Sequence, residues 1–252
     1  MAQSSHRLLW DGCSNVRDLG GHAAIDGRVV RTSSLIRSDN LARLTAEGQD
    51  AVRAGGVSTI IDVRSPYELD IEANPFARSS SEVSPVYRNL PLMDEADTEG
   101  VALINAASSV AEAYRVMLDR FQTNIGAIIR GIADAPPGAV VIHCHAGKDR
   151  TGLVVALALR LAGVPEDRIA EDYALSDDYL NTLYAEMLAK KSNPDERARL
   201  AEQLSSKPEA ILEVLSHLDS YYGGVELYLA ACGLDDQATK MLRERLPEPA
   251  AL

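Results

Sequence analysis

The 252-residue sequence predicts an α/β fold: a central, mainly parallel sheet of about four or five strands flanked by helices, with extra C-terminal helices. Three observations carry this. Short β-branched apolar runs at 58–63 (STIIDV) and 139–143 (AVVIH) read as buried strands, and 86–90 (VYRNL) suggests another strand. Stretches with apolar residues at helical spacing separate them, and strands joined through helices lie parallel. Residues 177–246 keep only the helical period. They break at Asn193-Pro194, near Lys207-Pro208, at Tyr222-Gly223-Gly224 and at Gly233, giving three or four further helices.

In chain order, the polar stretch DGCSNVRDLGG leads into alternating residues 28–37, a hairpin or two short strands with Asp26-Gly27 as the turn. Thr45 caps a short helix that Gly55-Gly56 ends. After the 58–63 strand, Ser65-Pro66-Tyr67-Glu68 is a capping box with proline in the first turn, and Asn74-Pro75 stops that helix. Residues 77–85 form a Ser-rich loop, the next strand ends at Pro91, and 94–100 is an acidic connection. Residues 101–134 read as one long or two consecutive helices, ended by Pro136-Pro137-Gly138. After the 139–143 strand come helices at 153–162 and 166–175, separated by Gly163 and Pro165. No repeat or linker divides the chain, so one domain over residues 1–252 is expected, with residues 171–220 as a helical lid or wall.

Hydrophobic residues make up 46% of the chain, enough for a substantial core. The net charge of −12 argues against nucleic-acid or anionic-membrane binding, so any anion site must be made locally. Cys13, Cys144 and Cys232 are widely spaced and odd in number, which points to a reducing compartment rather than a disulfide framework. The N-terminal residues lack a signal peptide's apolar core, and no run reaches membrane-spanning length. A cytoplasmic protein without stable membrane insertion is expected, although secretion without a signal leaves no mark in sequence.

The chemistry concentrates in residues 139–152, AVVIHCHAGKDRTG. A cysteine ends a buried strand, Gly147 sits in a short loop, and Arg150 stands where a helix opens six residues later. Loop N–H groups and a helix N-terminus favour an anion at one spot. The same field lowers a thiol's pKa, so a Cys144 thiolate is expected. Arg150 offers a planar fork for two phosphate oxygens. The other cysteines fail this test, with Leu19 and Ala238 six residues beyond them. A Walker A loop is excluded because Asp149 follows Lys148. Zinc at His143, Cys144 and His145 is poor, since a strand points alternate residues to opposite faces.

HCHAGKDRTG resembles the active-site loop of the cysteine-dependent tyrosine, dual-specificity and phosphoinositide phosphatases. The chain as a whole is similar to bacterial tyrosine phosphatases of the mycobacterial protein tyrosine phosphatase B type. The matching pieces are Asn15-Val16-Arg17-Asp18-Leu19-Gly20-Gly21, Gly27-Arg28 with Leu35 and Arg37-Ser38, Ile61-Asp62-Val63-Arg64-Ser65 with Glu68, the loop, Val164-Pro165 with Ile169-Ala170-Glu171-Asp172-Tyr173, and Tyr222-Gly223-Gly224-Val225-Glu226.

The resemblance implies hydrolysis of phosphotyrosine, and by extension phosphoserine, phosphothreonine and phosphoinositides, through a phosphocysteine on Cys144. Arg150 and the N–H groups of His145, Ala146, Gly147 and Lys148 would hold the phosphate, Thr151 would help sulfur leave, and His143 would order the loop from behind. No metal or cofactor is implied. The partners are a phosphorylated protein or phosphoinositide, with inorganic phosphate as product. Three aspartates compete as general acid: Asp149 in the loop, Asp62 at a strand's carboxyl end beside Arg64, and Asp94 after Pro91; the alternatives are that Asp62 buttresses the loop or a neighbouring arginine and that Asp94 is solvated loop charge. His145 and Lys148 stand where phosphoinositide phosphatases place basic residues, although pairing of Lys148 with Asp149 or Glu68 is the structural alternative. Arg17, Asp18 and Arg37 are candidate braces. The rival functions are a primary phosphoinositide phosphatase, a catalytically idle phosphate-binding module and a sulfur-transferring enzyme.

Overall fold

A computed structural model describes residues 6–78 and 85–250, so most of the Ser-rich loop predicted at 77–85 lies outside the described residues. The elements run β1 (His6–Arg7), β2 (Arg17–Asp18), β3 (Arg28–Val30), β4 (Leu35–Ser38), α1 (Ala46–Ala54), β5 (Val57–Asp62), α2 (Pro66–Ile71), β6 (Val86–Asn89), α3 (Thr98–Ala106), α4 (Val110–Arg120), α5 (Gln122–Ala133), β7 (Ala139–His143), α6 (Asp149–Leu161), α7 (Glu166–Ala189), α8 (Pro194–Leu204), α9 (Pro208–His217), a π-helical turn (Leu218–Tyr222), α10 (Val225–Ala231), α11 (Asp236–Arg245) and β8 (Pro247–Pro249).

The central sheet has six strands in the order β1-β2-β4-β7-β5-β6. The four from β4 to β6 are parallel, as expected. Two short antiparallel strands, β1 and β2, extend the sheet beyond the predicted four or five. The parallel strands end together at Ser38, His143, Asp62 and Asn89, and their carboxyl ends form one edge. Strand side chains alternate between two cores. Leu35, Ile61, Val140 and Ile142 face the helices of the larger core, while Ile36, Ile60, Ala139 and Val141 pack with Trp10, Val52 and Phe76 on the other side. Strand β7 is buried along its whole length, which explains its unbroken apolar sequence.

Several predicted boundaries shift. The Asp26-Gly27 turn forms, with Gly27 at φ +84 and an isolated bridge from Ala23 to Val29 across it; residues 28–37 hold the two short strands β3 and β4, and β3 pairs with C-terminal β8. Residues 101–134 fall into three helices, not one or two. Asp97 caps the first onto Gly100 N, Ser109 caps the second onto Glu112 N, and Phe121 interrupts the chain before the third. The acidic connection is therefore shorter, because Thr98 already begins a helix. Helix α7 continues to Ala189 instead of stopping near Leu175. Its polar residues at that point are engaged: Ser176 accepts a bond from Arg17, and Asp177 accepts one from Ser206 N–H. The four predicted breaks beyond it fall between elements.

Gly126 in α5 lets that helix approach the end of α10, where a Cβ would run into the Cys232 carbonyl. Replacing a helix-interior glycine by alanine ordinarily stabilises by about 1 kcal/mol. Here Gly126→Ala is expected to destabilise by about 1–3 kcal/mol through overpacking. Chemical denaturation reads the sign, and a stabilised variant would contradict the packing.

Candidate active site

Strand β7 delivers Cys144 at the carboxyl edge of the sheet, 2% exposed, and residues 144–148 turn the chain into α6. Gly147 has φ +67, and a Cβ on it would collide with the Ser38 carbonyl at the end of β4. Glycine is needed there both for its dihedral and for the close approach.

Four consecutive carbonyls of this turn are held from outside. Cys144 O receives His143 Nδ1 at 3.1 Å; a carbonyl only accepts, so that ring nitrogen carries a proton. His145 O accepts from Asn40 N at 3.0 Å. Ala146 O accepts from Asn15 Nδ2 at 3.0 Å, and Gly147 O from Arg37 Nη2 at 2.7 Å. In a trans peptide the N–H points opposite to the C=O of the same unit. The N–H groups of His145, Ala146, Gly147 and Lys148 therefore each point away from the donor that holds the carbonyl of their own peptide unit, and no protein acceptor takes them among the described residues. Successive unpartnered backbone N–H groups of this kind can form an anion-binding nest. Thr151, on the first turn of α6, is buried with its hydroxyl unpartnered.

Arg150 completes the rim. Its Nη1 and Nη2 donate to Glu68 Oε2 and Oε1 at 2.6 and 2.8 Å. Glu68 thus takes one N–H from each terminal nitrogen, leaving the side edge of the fork, with Nε, open to a phosphate. The capping box of α2 fixes this partner, since Glu68 Oε2 also accepts from Ser65 N at 2.9 Å. Burial opposes ionisation of Glu68, but the bonds and charge of Arg150 outweigh it and hold the carboxyl at about 2.

A cysteine under four inward amides, flanked by a braced arginine, fits phosphate-ester chemistry, and the comparisons agree. A family model described as tyrosine phosphatase family matches residues 8–248. This chain belongs to the tyrosine phosphatase family. It is 30% identical over 254 residues to a tyrosine-protein phosphatase of Nostoc commune, covering 98% of this chain and 84% of the relative. It is 31% identical over 238 residues to a putative tyrosine-protein phosphatase of Cupriavidus necator, covering 90% and 84%. Against the triple specificity protein phosphatase PtpB of Mycobacterium tuberculosis it is 28% identical over 272 residues, covering 92% and 96%.

Within this family member, the three candidate acids are in different surroundings. Asp62 is wholly buried, accepts from Arg64 N, Nε and Nη2 at 3.1, 3.0 and 2.7 Å and from Tyr87 OH at 3.1 Å, and lies 3.2 Å from His143 Nε2. Burial opposes its ionisation, but His143 and Arg64 hold it far below the carboxylate range. These bonds occupy both oxygens of Asp62, an arrangement that suits the buttress alternative better than a proton donor. Asp94 is exposed and lines a separate cleft of about 420 Å³ with Pro66, Leu90, Met93 and Asn124. Asp149 begins α6, is 37% exposed, and accepts from Tyr114 OH at 2.5 Å; Tyr114 OH is also 2.8 Å from Tyr173 OH.

Two substrate-binding expectations also change. Lys148 contributes its backbone, but its ammonium is buried, donating to Gln203 O and Ser205 O at 2.6 and 3.2 Å and lying 3.2 Å from Asp149 Oδ1. It joins the loop to the end of α8, within the predicted wall, instead of facing a ligand. Burial and the adjacent Arg43, whose Nη2 lies 3.2 Å from His145 Nε2, lower the pKa of His145, which disfavours the cationic form expected of a basic phosphate contact. Asp18 braces the Gly20–Ser33 turn by accepting both N–H groups, not the loop. Arg37 braces the loop directly and Arg17 does so through Asn15.

Asn15, Asn40, Tyr114 and Asp172 were not singled out as site residues by sequence reasoning. Their partners are remote in sequence, and the sole signal was that Asn15 and Asp172 fall within the matching segments.

The lowered Glu68 pKa sets a pH test. Its contribution to stability is complete above the unfolded value of about 4.3 and is lost as pH falls through about 2. Glu68→Gln is expected to melt below wild type at neutral pH, with the gap closing as pH drops below about 4.3. A gap unchanged by acid would contradict the ion pair.

Proposed function

We propose that this chain hydrolyses phosphotyrosine esters in two steps through a phosphocysteine on Cys144. The observation supporting this most strongly is the row of four backbone amides after Cys144 that no described acceptor takes, each turned away from its held carbonyl. Sulfur attacks phosphorus in line while the amides and the open edge of Arg150 carry the equatorial oxygens. The ester P–O bond breaks as the P–S bond forms, and Asp149 gives its proton to the departing phenolate oxygen. Water then attacks phosphorus and returns a proton to Asp149. The P–S bond breaks, with the Thr151 hydroxyl donating to the sulfur, and inorganic phosphate leaves.

Asp149 is preferred as acid because it combines partial exposure, a place in the loop and a hydrogen bond that orients its carboxyl. The triple specificity named for the M. tuberculosis relative extends the candidate substrates beyond phosphotyrosine. Phosphoserine, phosphothreonine and phosphoinositides are the secondary substrates of this reading. The anchorage of the Lys148 ammonium on Gln203 and Ser205 makes a primarily phosphoinositide-directed site the weaker reading.

Turnover of a phosphorylated aryl ester is expected to vanish in Cys144→Ser and Arg150→Ala, and rapid quench of wild type to trap a phosphorylated Cys144. Substantial turnover by the serine variant would overturn the mechanism. An untrappable intermediate with intact phosphate binding would favour an idle binding module.

Asp149→Asn is expected to slow poor leaving groups about a hundredfold while sparing nitrophenolate. Asp62→Asn is expected to lower stability without changing leaving-group dependence. The reverse pattern, or a leaving-group effect confined to Asp94→Asn, would reassign the acid.

A further inference from the structure

We infer that Asp172 is a positioning residue for the phosphate-binding amides, acting through Arg37 and through Arg17 and Asn15; this rests on the cradle reading above. Arg17, Arg37 and Asp172 are no more than 1% exposed and come from β2, β4 and α7. Asp172 Oδ2 accepts from Arg37 Nη1 at 2.7 Å, and the same guanidinium gives Nη2 to Gly147 O at 2.7 Å. Asp172 Oδ1 accepts from Arg17 Nε at 2.8 Å, and its backbone carbonyl accepts from Arg17 Nη2 at 2.7 Å. Arg17 Nη1 then donates to Asn15 Oδ1 at 2.5 Å, and Asn15 Nδ2 to Ala146 O. One carboxylate therefore sets two donors on adjacent loop carbonyls, and through peptide planarity the N–H groups of Gly147 and Lys148.

The cluster is an expensive way to fill space. Two guanidiniums share one carboxylate with no solvent, and apolar packing of similar volume commonly gives equal or greater stability. Burial, with Arg37 beside it, lowers the Arg17 pKa to about 10, so Arg17 stays charged at neutral pH. What the ion triad adds over apolar packing is a rigid set of donors aimed at the loop. Asp172 does not touch the phosphate, and its effect is carried by the arginines.

The test uses inorganic phosphate as probe, bound calorimetrically to the full chain, alongside kcat normalised to titrated Cys144. Folded Asp172→Asn is expected to bind phosphate about tenfold more weakly and to lose about a hundredfold in kcat, the order of losing one oxyanion donor. Asp172→Glu is expected to recover part of both. A purely structural residue would lower the melting temperature while leaving phosphate affinity of the folded protein within twofold of wild type, and that result overturns the assignment.

Asp172→Asn leaves two buried arginines with no carboxylate, so it can fail to fold. Asn15→Ala then decides, since it keeps the Arg17–Asp172–Arg37 contacts and removes the donor on Ala146 O together with the acceptor of Arg17 Nη1. A several-fold loss of phosphate affinity supports the chain of contacts, and affinity within twofold of wild type overturns it. Wild type that binds phosphate without turnover overturns the proposed reaction and leaves this assignment standing.

Discussion

The direction of a peptide carbonyl fixes the direction of the next N–H, and the active site is built on that constraint. An isolated loop of this length has no reason to turn four successive amides to one side. Here His143, Asn40, Asn15 and Arg37 each hold one carbonyl outward. These donors come from β7, the turn after β4, the stretch before β2, and β4 itself. The sheet order brings them around a single strand end, and Gly147 lets the loop lie close enough to β4 to be reached.

The same arrangement explains how a chain of net charge −12 makes an anion site. The acidic groups nearest the loop are largely committed to arginines or to ordering contacts: Glu68 to Arg150, Asp172 to Arg17 and Arg37, and Asp62 to Arg64. Each acid orients a cation instead of facing the ligand. In the proposed site, backbone N–H groups and one edge of Arg150 meet the anion, both held in place by the contacts above, the condition under which such donors contribute most.

The sheet and the loop were legible in the sequence because their signals are local. The β-branched run at 139–143, the Ser65–Glu68 capping box and the spacing of Cys144 to Arg150 are all contained in short windows. What was not legible depended on distant pairings. Nothing near β3 announces β8 as its partner, and nothing near Asp62 announces that His143 and Tyr87 close over it. Lys148 reads as a substrate contact until Gln203 and Ser205 are placed against it, and α7 reads as short until Ser176 and Asp177 are seen to be engaged. In each case a polar side chain with several ordinary uses was assigned by a neighbour far away in sequence.

The most direct measurement is a titration of the nitrogen-15-labelled protein with inorganic phosphate, following backbone amides. The account predicts that His145, Ala146, Gly147 and Lys148 shift together and saturate at one phosphate per chain. Saturable phosphate binding that leaves those four resonances unmoved would contradict it.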